Sequence, residues 1–433
     1  MWYNSAMSEM ITFDSGLRLI VTPNPAVRSA SVGVFVKAGS VYERPEQGGI
    51  SHLLEHMLFK GTKKRTAFDI ANEIDSLGAQ INAYTAKSST CYHTLSRDVH
   101  AAECMEVLAD MYFDATFLSD EFAKERKVVL EELAESEDTP DDLCLEKLSS
   151  AFFKGHALGR SILGTAATLK EMRPEDLTAY RDSHYVSGGT VISVAGNVTV
   201  DDARGMVTEL FEKRFGERAA ASPVGTVSAA EVKGGFSHRK KQIEQTHIAF
   251  AFPGLAYDSN RAMAMRMLAA VFGMEMSSRL FQSVREKRGL CYSIMGYPSF
   301  YENNGSFVIY TSVNPGRVEE AVAAIRHEID LIVADGITEE ELKKGREQLV
   351  TGMVLGQEST SAMMKAYGRH AMMTGELYDM DEKIAEIESV TRDDVLALAR
   401  EVFVFDKMAA SCVAPEIEDV RKMMKECTDE KHG

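Results

Sequence analysis

The sequence lacks any apolar run that approaches the roughly 20 residues a membrane-spanning helix requires. Its first ten residues, MWYNSAMSEM, contain no Lys or Arg and no apolar stretch. They therefore resemble neither a secretory signal nor an Arg-rich transit peptide. These absences predict a cytoplasmic protein that does not enter a membrane.

Paired cysteines and an excess of basic residues are also lacking. The six cysteines include no C-x-x-C pair, so the spacing gives neither a disulfide framework nor a thiolate zinc site. The 48 Lys and Arg are outnumbered by 65 Asp and Glu, for a formal net charge of −17. This charge disfavours nucleic acid and anionic lipid as partners and would attract a cationic peptide. It also keeps a protein soluble, so composition alone does not choose between these roles.

The chain of 433 residues exceeds one ordinary domain, since domains cluster at roughly 100–200 residues. Alternating strand and helix patterns fill the first half, where QINAYTAKSSTCYHTLS is predicted to form one long strand. Residues 217–244 then shift to Ala, Ser, Gly and Lys with little periodicity, and the order of elements restarts after them. The pattern predicts two α+β domains, 1–216 and 245–433, joined by a linker at 217–244.

The stretch GGISHLLEHMLFKGT carries the strongest functional motif. Apolar residues recur with helical spacing between Gly48 and Lys60, so His52 and His56 project from one side of a helix. Glu55 lies between them, where it can accept a proton from a water molecule beside a metal. The H-x-x-E-H order is a zinc-peptidase motif. A surface cluster on an amphipathic helix would show the same spacing, so a metal site needs further support.

A catalytic zinc site needs a third protein ligand, and FAKERKVVLEELAESEDTPDD offers candidates. Glu125 and Glu132 are separated by two helical turns and share one face of a predicted helix. One carboxylate can complete the site while the other holds a ligand through a hydrogen bond. Spacing alone does not choose among Glu125, Glu131, Glu132 and Glu135, and a solvated acidic helix would have the same composition.

Together with INAYT, GHALGRSILG, SVAGN and LFQSVREKRGLCYS, these motifs resemble the pitrilysin/insulinase family of zinc peptidases. The closest resemblance is to its processing-peptidase branch, which includes bacterial homodimeric relatives of mitochondrial processing peptidase. In that family the spacing of the third ligand corresponds to Glu132, and the supporting glutamate one heptad earlier corresponds to Glu125. The resemblance therefore implies one Zn2+ per chain, bound by His52, His56 and Glu132, with Glu55 as the general base.

The fold implied by the resemblance consists of two homologous domains, each a mixed β-sheet packed on helices, arranged as half shells around a chamber. In the processing branch, the edge strand that carries N-A-Y binds extended substrate by strand addition. Acidic residues beyond the third ligand bind a basic residue near the cleaved bond. The substrate-binding residues implied here are Asn82, Ala83, Tyr84, Phe59, Asp142 and Glu146.

The second half has no H-x-x-E-H and resembles the metal-free domain of the family. It contains Arg285 and Tyr292. The resemblance implies that Arg285 holds a substrate backbone carbonyl and that the Tyr292 hydroxyl donates a hydrogen bond to the oxyanion. Without the family, both would be interpreted as exposed residues of a charged loop. Because one chain carries both halves, the expected assembly is a homodimer with two composite active sites. The alternatives are a catalytic subunit that pairs with a metal-free relative, and an inactive peptide-binding or scaffold subunit.

The predicted function is that of a zinc metalloendopeptidase. It would cleave internal bonds of unfolded peptides or extended segments, with a preference for nearby basic residues. Glu55 would take the proton of a zinc-activated water and deliver it to the leaving amine. A peptide is the expected substrate, and neither nucleic acid nor membrane is an expected partner.

Overall fold

A computed structural model of the chain describes residues 8–216 and 225–427. The described residues divide into two compact units, and each unit takes segments from both halves of the chain. Unit 1 comprises 8–133, 161–216, 225–226 and 354–378, and unit 2 comprises 134–160, 227–353 and 379–427.

The strands form one sheet in each unit. Along the chain they are β1 (Glu9–Thr12), β2 (Arg18–Pro23), β3 (Ser29–Val36), β4 (Gln80–Thr85), β5 (Thr90–Arg97), β6 (Thr190–Gly196), β7 (Gly235–Lys240), β8 (Thr246–Pro253), β9 (Cys291–Phe300), β10 (Gly305–Val313) and β11 (Ala409–Ala414). The order is β1-β2-β6-β3-β5-β4 in unit 1 and β7-β11-β8-β10-β9 in unit 2. In each sheet one pair is parallel, β2 with β6 and β7 with β11, and the others are antiparallel. The predicted pair of similarly built α+β domains with mixed sheets is confirmed.

Helices cover both sheets. Along the chain they are α1 (Ile50–Leu58), α2 (Ala67–Ser76), α3 (Ala101–Asp114), α4 (Ser119–Asp138), α5 (Pro140–Phe152), α6 (Ala166–Glu171), α7 (Pro174–His184), α8 (Val200–Val207), α9 (Lys213–Gly216), α10 (Ala262–Ala269), α11 (Val318–Asp335), α12 (Glu339–Gly356), α13 (Thr360–Thr374), α14 (Met380–Ser389), α15 (Arg392–Val402) and α16 (Val420–Glu426). Three π-helical segments, Thr208–Glu212, Ala270–Met274 and Phe281–Lys287, add to them.

Two helices pack on the sheet of the opposite half of the sequence. α13, from the second half, covers β3 and β6 in unit 1, whereas α5, from the first half, covers β7, β8 and β11 in unit 2. Gly368 of α13 allows close packing on unit 1, because a Cβ atom there would lie 2.2 Å from the Phe35 ring. Each predicted domain, 1–216 and 245–433, is one uninterrupted segment, so the prediction does not include this exchange of helices.

One local prediction is corrected, and part of the predicted linker forms a strand. The segment predicted as one long strand forms a hairpin, because Ala86 N–H donates to the Ser89 carbonyl at 2.8 Å and closes a turn between β4 and β5. As a result β4 lies at the edge of its sheet. In the predicted linker 217–244, residues 217–224 lie outside the described residues, and Gly235–Lys240 forms β7. None of the six residues of this strand is fully buried, so it lacks the apolar alternation of a strand with one face in a core, and it pairs with the buried strand β11.

In the described part of the chain, none of the helices combines the length and the apolar character needed to cross a membrane. No disulfide forms among the six cysteines, all of which lie in the described residues, and four of them are buried. Burial, rather than pairing, therefore accounts for most of these residues.

Candidate metal centre and active site

Helix α1 begins where a buried carboxylate satisfies its first amides. Glu43 accepts hydrogen bonds from Gly49 N–H and Ser51 N–H, each at 3.0 Å. Its negative charge also complements the positive end of the helix dipole. Gly49 has a φ of 92°, in the left-handed region that favours glycine, and this turns the chain into the helix. These contacts fix the start of α1 and therefore the positions of the two histidines.

His52 and His56 lie one turn apart on α1, near Glu132 of α4. Nε2 of His52 lies 3.8 Å, and Nε2 of His56 3.5 Å, from Oε2 of Glu132. One donor atom from each residue falls within 4.8 Å of the other two, and no other such group occurs among the described residues. Two imidazole nitrogens and one carboxylate, with a coordination position left open, are a donor set of catalytic zinc sites. The side chains therefore fit a zinc ion.

Glu125 lies two turns before Glu132 on α4, and it contacts the second histidine. Its Oε2 lies 3.2 Å from Nδ1 of His56, and its Oε1 lies 2.8 Å from Nζ of Lys60. A hydrogen bond at Nδ1 leaves Nε2 of the same ring free to bind a metal. The other two glutamates that the spacing left open, at positions 131 and 135, are exposed and lie outside the cluster.

The two imidazoles differ in their surroundings. Burial, with a smaller contribution from His56, lowers the pKa of His52 to about 4, so its ring is neutral at pH 7. Neutral imidazole is the form that binds a metal. Nδ1 of His52 is buried and has no hydrogen-bond partner among the described residues, whereas Nδ1 of His56 contacts Glu125. The orientation of His56 is therefore held more firmly than that of His52.

Glu55 lies on α1 between the two histidines and contacts the edge strand. Thr85 Oγ1 donates a hydrogen bond to Glu55 Oε2 at 2.5 Å. Burial raises the pKa of Glu55 above its usual value, although the hydrogen bond from Thr85 opposes this shift. A carboxylate with a raised pKa is a stronger base, which suits proton abstraction near neutral pH.

Asn82, Ala83 and Tyr84 lie on β4. Among the described strands β4 pairs only with β5, so its other side presents backbone groups to an extended peptide. The N–H of Ala83 donates to Asn82 Oδ1 at 2.8 Å, so the side chain of Asn82 occupies one backbone donor. Tyr84 packs on the α13 side of the sheet, where its ring lies 5.9 Å from Nζ of Lys365.

The remaining residues predicted to bind substrate have different surroundings. Phe59 follows α1 and packs, partly buried, against the core of unit 1, with its ring centroid 6.4 Å from that of Tyr92. Asp142 and Glu146 lie one turn apart on α5 in unit 2, and Asp142 is exposed. Partial burial and two neighbouring carboxylates raise the pKa of Asp142. Such a carboxylate is stabilised in its charged form by a nearby cation.

Arg285 and Tyr292 lie side by side in unit 2. Arg285 belongs to the segment Phe281–Lys287, and Tyr292 is the second residue of β9. The guanidinium carbon of Arg285 lies 5.3 Å from the centroid of the Tyr292 ring. Tyr292 is 78% exposed, so little of its side chain packs in the protein interior. The core of unit 2 therefore does not account for its presence.

Two family models match consecutive parts of this chain. Residues 18–166 match the insulinase model of peptidase family M16, and residues 171–349 match the model of the M16 inactive domain. The chain belongs to peptidase family M16, the insulinase family. The first match includes α1 and the glutamates of α4, whereas Arg285 and Tyr292 fall in the second.

Relatives over nearly the whole length agree with this membership. The chain is 38% identical to the uncharacterized zinc protease YmxG of Bacillus subtilis, covering 94% of this chain and 98% of the relative. It is 37% identical to an uncharacterized zinc protease of Streptomyces coelicolor, over 90% of this chain and 86% of that protein. A peptidase M16 inactive domain from Pseudomonas fluorescens superposes with a TM-score of 0.88 at 19% identity, over 95% and 98% of the chains. That likeness shows the same fold. The named relatives support a zinc-dependent peptidase.

Three further residues hold this site together and were not predicted from the sequence: Glu43, Lys60 and Thr85. Each had a weak signal. Glu43 precedes the Gly-Gly pair at which α1 begins, Lys60 follows His56 by one helical turn, and Thr85 ends the N-A-Y strand. None of these positions could be assigned a contact before the packing of α1, α4 and β4 was known.

Lys60→Met is expected to weaken zinc binding by about 10- to 100-fold, the usual cost of losing a partner behind a metal ligand. The substitution removes the ammonium group 2.8 Å from Glu125, which is 6% exposed and holds His56. A buried carboxylate without its cation is less stable, so His56 is held less firmly. The affinity is measured by competition with a chromogenic chelator.

Lys63→Met is the matched control, since Lys63 pairs with Asp114 on the surface and does not contact Glu125. Lys60→Arg keeps a cation near Glu125 and should recover part of the affinity. Equal zinc affinity of Lys60→Met and Lys63→Met would contradict this function of Lys60.

Proposed function

We propose that this chain is a zinc metalloendopeptidase of the processing-peptidase branch that cleaves unfolded peptides or extended segments. The observation that carries the proposal is the convergence of one donor atom each from His52, His56 and Glu132 within 4.8 Å, on the helix that also carries Glu55, in a member of family M16. A zinc ion at this site would polarise the scissile carbonyl and lower the pKa of water.

The proposed chemistry assigns distinct functions to the side chains around the cluster. Glu55 takes a proton from the attacking water and later delivers it to the leaving amine, and its raised pKa suits both transfers. Glu125 orients the His56 ring through Nδ1. The Tyr292 hydroxyl donates a hydrogen bond to the developing oxyanion, while Arg285 holds a substrate carbonyl.

The free side of β4 supports a preference for extended substrates. A peptide that pairs with an edge strand must offer its own backbone N–H and C=O groups. In a folded protein most of these groups are already paired, so unfolded peptides and flexible segments bind better. Asn82, Ala83 and Tyr84 would line this binding strand.

We assign Asp142 and Glu146 to the recognition of a basic residue near the scissile bond. Their spacing places both carboxylates on one face of α5. The net charge of −17 would also attract a cationic peptide over longer distances.

The proposal is tested with two internally quenched peptides that differ at one position near the cleaved bond, with Arg in one peptide and norleucine in the other. Zinc-loaded protein is expected to cut both, with a higher kcat/KM for the Arg peptide, and chelator-treated protein is expected to cut neither. Re-addition of zinc should restore cleavage. Zinc-loaded protein that cleaves no peptide would instead favour a scaffold subunit or a subunit that needs a metal-free relative. Equal kcat/KM for both peptides would contradict the preference for a basic residue but not the peptidase function.

We further infer a homodimer in which each active site combines the metal cluster of one chain with Arg285 and Tyr292 of the other. The support is that one chain carries both groups and that its two halves match the peptidase and inactive-domain models. A cyclic dimer of identical chains would create two equivalent composite sites.

Mixing two inactive variants, Glu55→Gln and Tyr292→Phe, is expected to restore about a quarter of wild-type activity. If subunits exchange at random, half of the dimers are mixed, and each mixed dimer has one intact site. Activity is measured on the same peptide before and after mixing. Each variant mixed with itself is the control. No recovery, despite subunit exchange verified with differently tagged chains, would contradict composite sites.

A further inference from the structure

Thr85 connects Glu55 to the strand at the edge of the sheet. It is the last residue of β4, and its Oγ1 donates to Glu55 Oε2 at 2.5 Å. Glu55 lies on α1, so this hydrogen bond links two separate elements of unit 1. With Oε2 engaged, Oε1 is the oxygen left to accept a proton.

The Thr85 hydroxyl has two oxygen atoms near it, one on Glu55 and one on its neighbour across the hairpin. Thr90 faces Thr85 in the β4–β5 register, and the two Oγ1 atoms lie 3.4 Å apart. Thr90 Oγ1 donates its proton to the Ala38 carbonyl at 2.9 Å. Thr90 can therefore act only as an acceptor toward Thr85, and the Glu55 carboxylate is the nearer acceptor and carries a charge, so the Thr85 proton is directed at Glu55.

The turn that follows Thr85 is held in place. Val41 N–H donates to the Lys87 carbonyl at 2.9 Å, which fastens the turn to the segment after β3. Gly39 allows this approach, since a Cβ atom there would lie 2.5 Å from the same carbonyl. A hydroxyl on a rigid support can orient a catalytic group, whereas one on a loose loop cannot.

The alternation of side chains along β4 relates Thr85 to the substrate. Ile81, Ala83 and Thr85 face the same side, and the first two pack against the core that includes α1. The backbone of this strand has a free edge on which a peptide can pair. Substrate alignment and base orientation therefore depend on one strand.

We propose that Thr85 is a positioning residue that holds the Glu55 carboxylate in register with a peptide paired on β4. The inference rests on the proposed peptidase function. The hydrogen bond from its hydroxyl determines which oxygen of Glu55 faces the attacking water. Because Thr85 lies on β4, the orientation of Glu55 depends on the same strand that aligns the scissile bond. Thr85 itself touches neither the metal ligands nor the reacting atoms.

The test compares four variants in the zinc-loaded, full-length protein. Thr85→Val keeps the shape and the β propensity of threonine but removes the hydroxyl. Thr85→Ser and Thr85→Ala differ from each other only in the hydroxyl. Thr116→Val is the control, because it removes a hydroxyl of unit 1 that bonds to the Gly61 carbonyl and does not contact Glu55.

Thr85→Val and Thr85→Ala are expected to lose roughly 10- to 100-fold in kcat, the cost of a misplaced reacting group. KM, zinc content and Tm should stay close to wild type, because substrate pairing and the metal ligands are unchanged. Thr85→Ser should recover most of kcat, and Thr116→Val should behave as wild type.

Several results would overturn the inference. These are wild-type kcat in Thr85→Val, failure of Thr85→Ser to exceed Thr85→Ala, or a loss that follows zinc content or Tm instead of the hydroxyl. An inactive zinc-loaded wild type would overturn the proposed function itself. Since wild-type activity is measured first, the two failures are distinguishable.

Discussion

Glu55→Gln is expected to lower kcat by about 10²- to 10⁴-fold, the contribution usual for a general base, while zinc binding persists. Glutamine has nearly the same shape, and its amide oxygen can still accept the hydrogen bond from Thr85. It cannot take a proton from water near neutral pH. Because Glu55 is not one of the three clustered ligands, zinc content should match wild type. The variant is assayed with the internally quenched Arg peptide, alongside metal analysis of the same sample.

Glu46→Gln is the control for the removal of a carboxylate in the same region. Glu46 lies before α1 and pairs on the surface with Arg44 at 3.1 Å, outside the metal cluster. It should retain wild-type kcat and KM. A zinc-loaded Glu55→Gln variant that cleaves the peptide as fast as Glu46→Gln would show that another group acts as the base.

The sequence was sufficient where one element carries the whole pattern. His52, Glu55 and His56 lie within five residues of one helix, so helical periodicity alone predicts that the two imidazoles share a side. The heptad from Glu125 to Glu132 likewise predicts one face of α4. What periodicity could not supply is which carboxylate meets which histidine, because that depends on how α1 packs against α4.

Local sequence patterns do not predict contacts between distant segments of the chain. The amphipathic pattern of α13 shows that one face is buried, but it does not identify the sheet that buries it. Residues 86–89 contain no Gly, Pro, Asn or Asp and offer only the weaker turn signal of Ser88 and Ser89, so one long strand was predicted. Splitting that strand is what places Thr85 at the end of β4, within reach of Glu55.

His56→Ala is expected to weaken zinc binding by more than about 100-fold. Loss of a residue that only supports a metal ligand costs up to roughly 100-fold, and this substitution removes a ligand itself. Peptidase activity should fall to background with it. The substitution also leaves Glu125 buried with Lys60 as its remaining partner at 2.8 Å. Zinc affinity is measured by chelator competition and activity with the internally quenched peptide.

Thermal unfolding with and without zinc gives a second readout. Zinc at 100 times its Kd should stabilise the wild type by about 2.7 kcal/mol, whereas His56→Ala should gain little at the same concentration. His100→Ala is the control, since His100 pairs with Glu103 at 3.4 Å and lies outside the cluster. The zinc-dependent rise in Tm should persist in Glu55→Gln and vanish in His56→Ala, although both variants lose most of their peptidase activity. Loss of the rise in both variants would mean that Glu55 helps to bind the metal, and its assignment as the base would then fail.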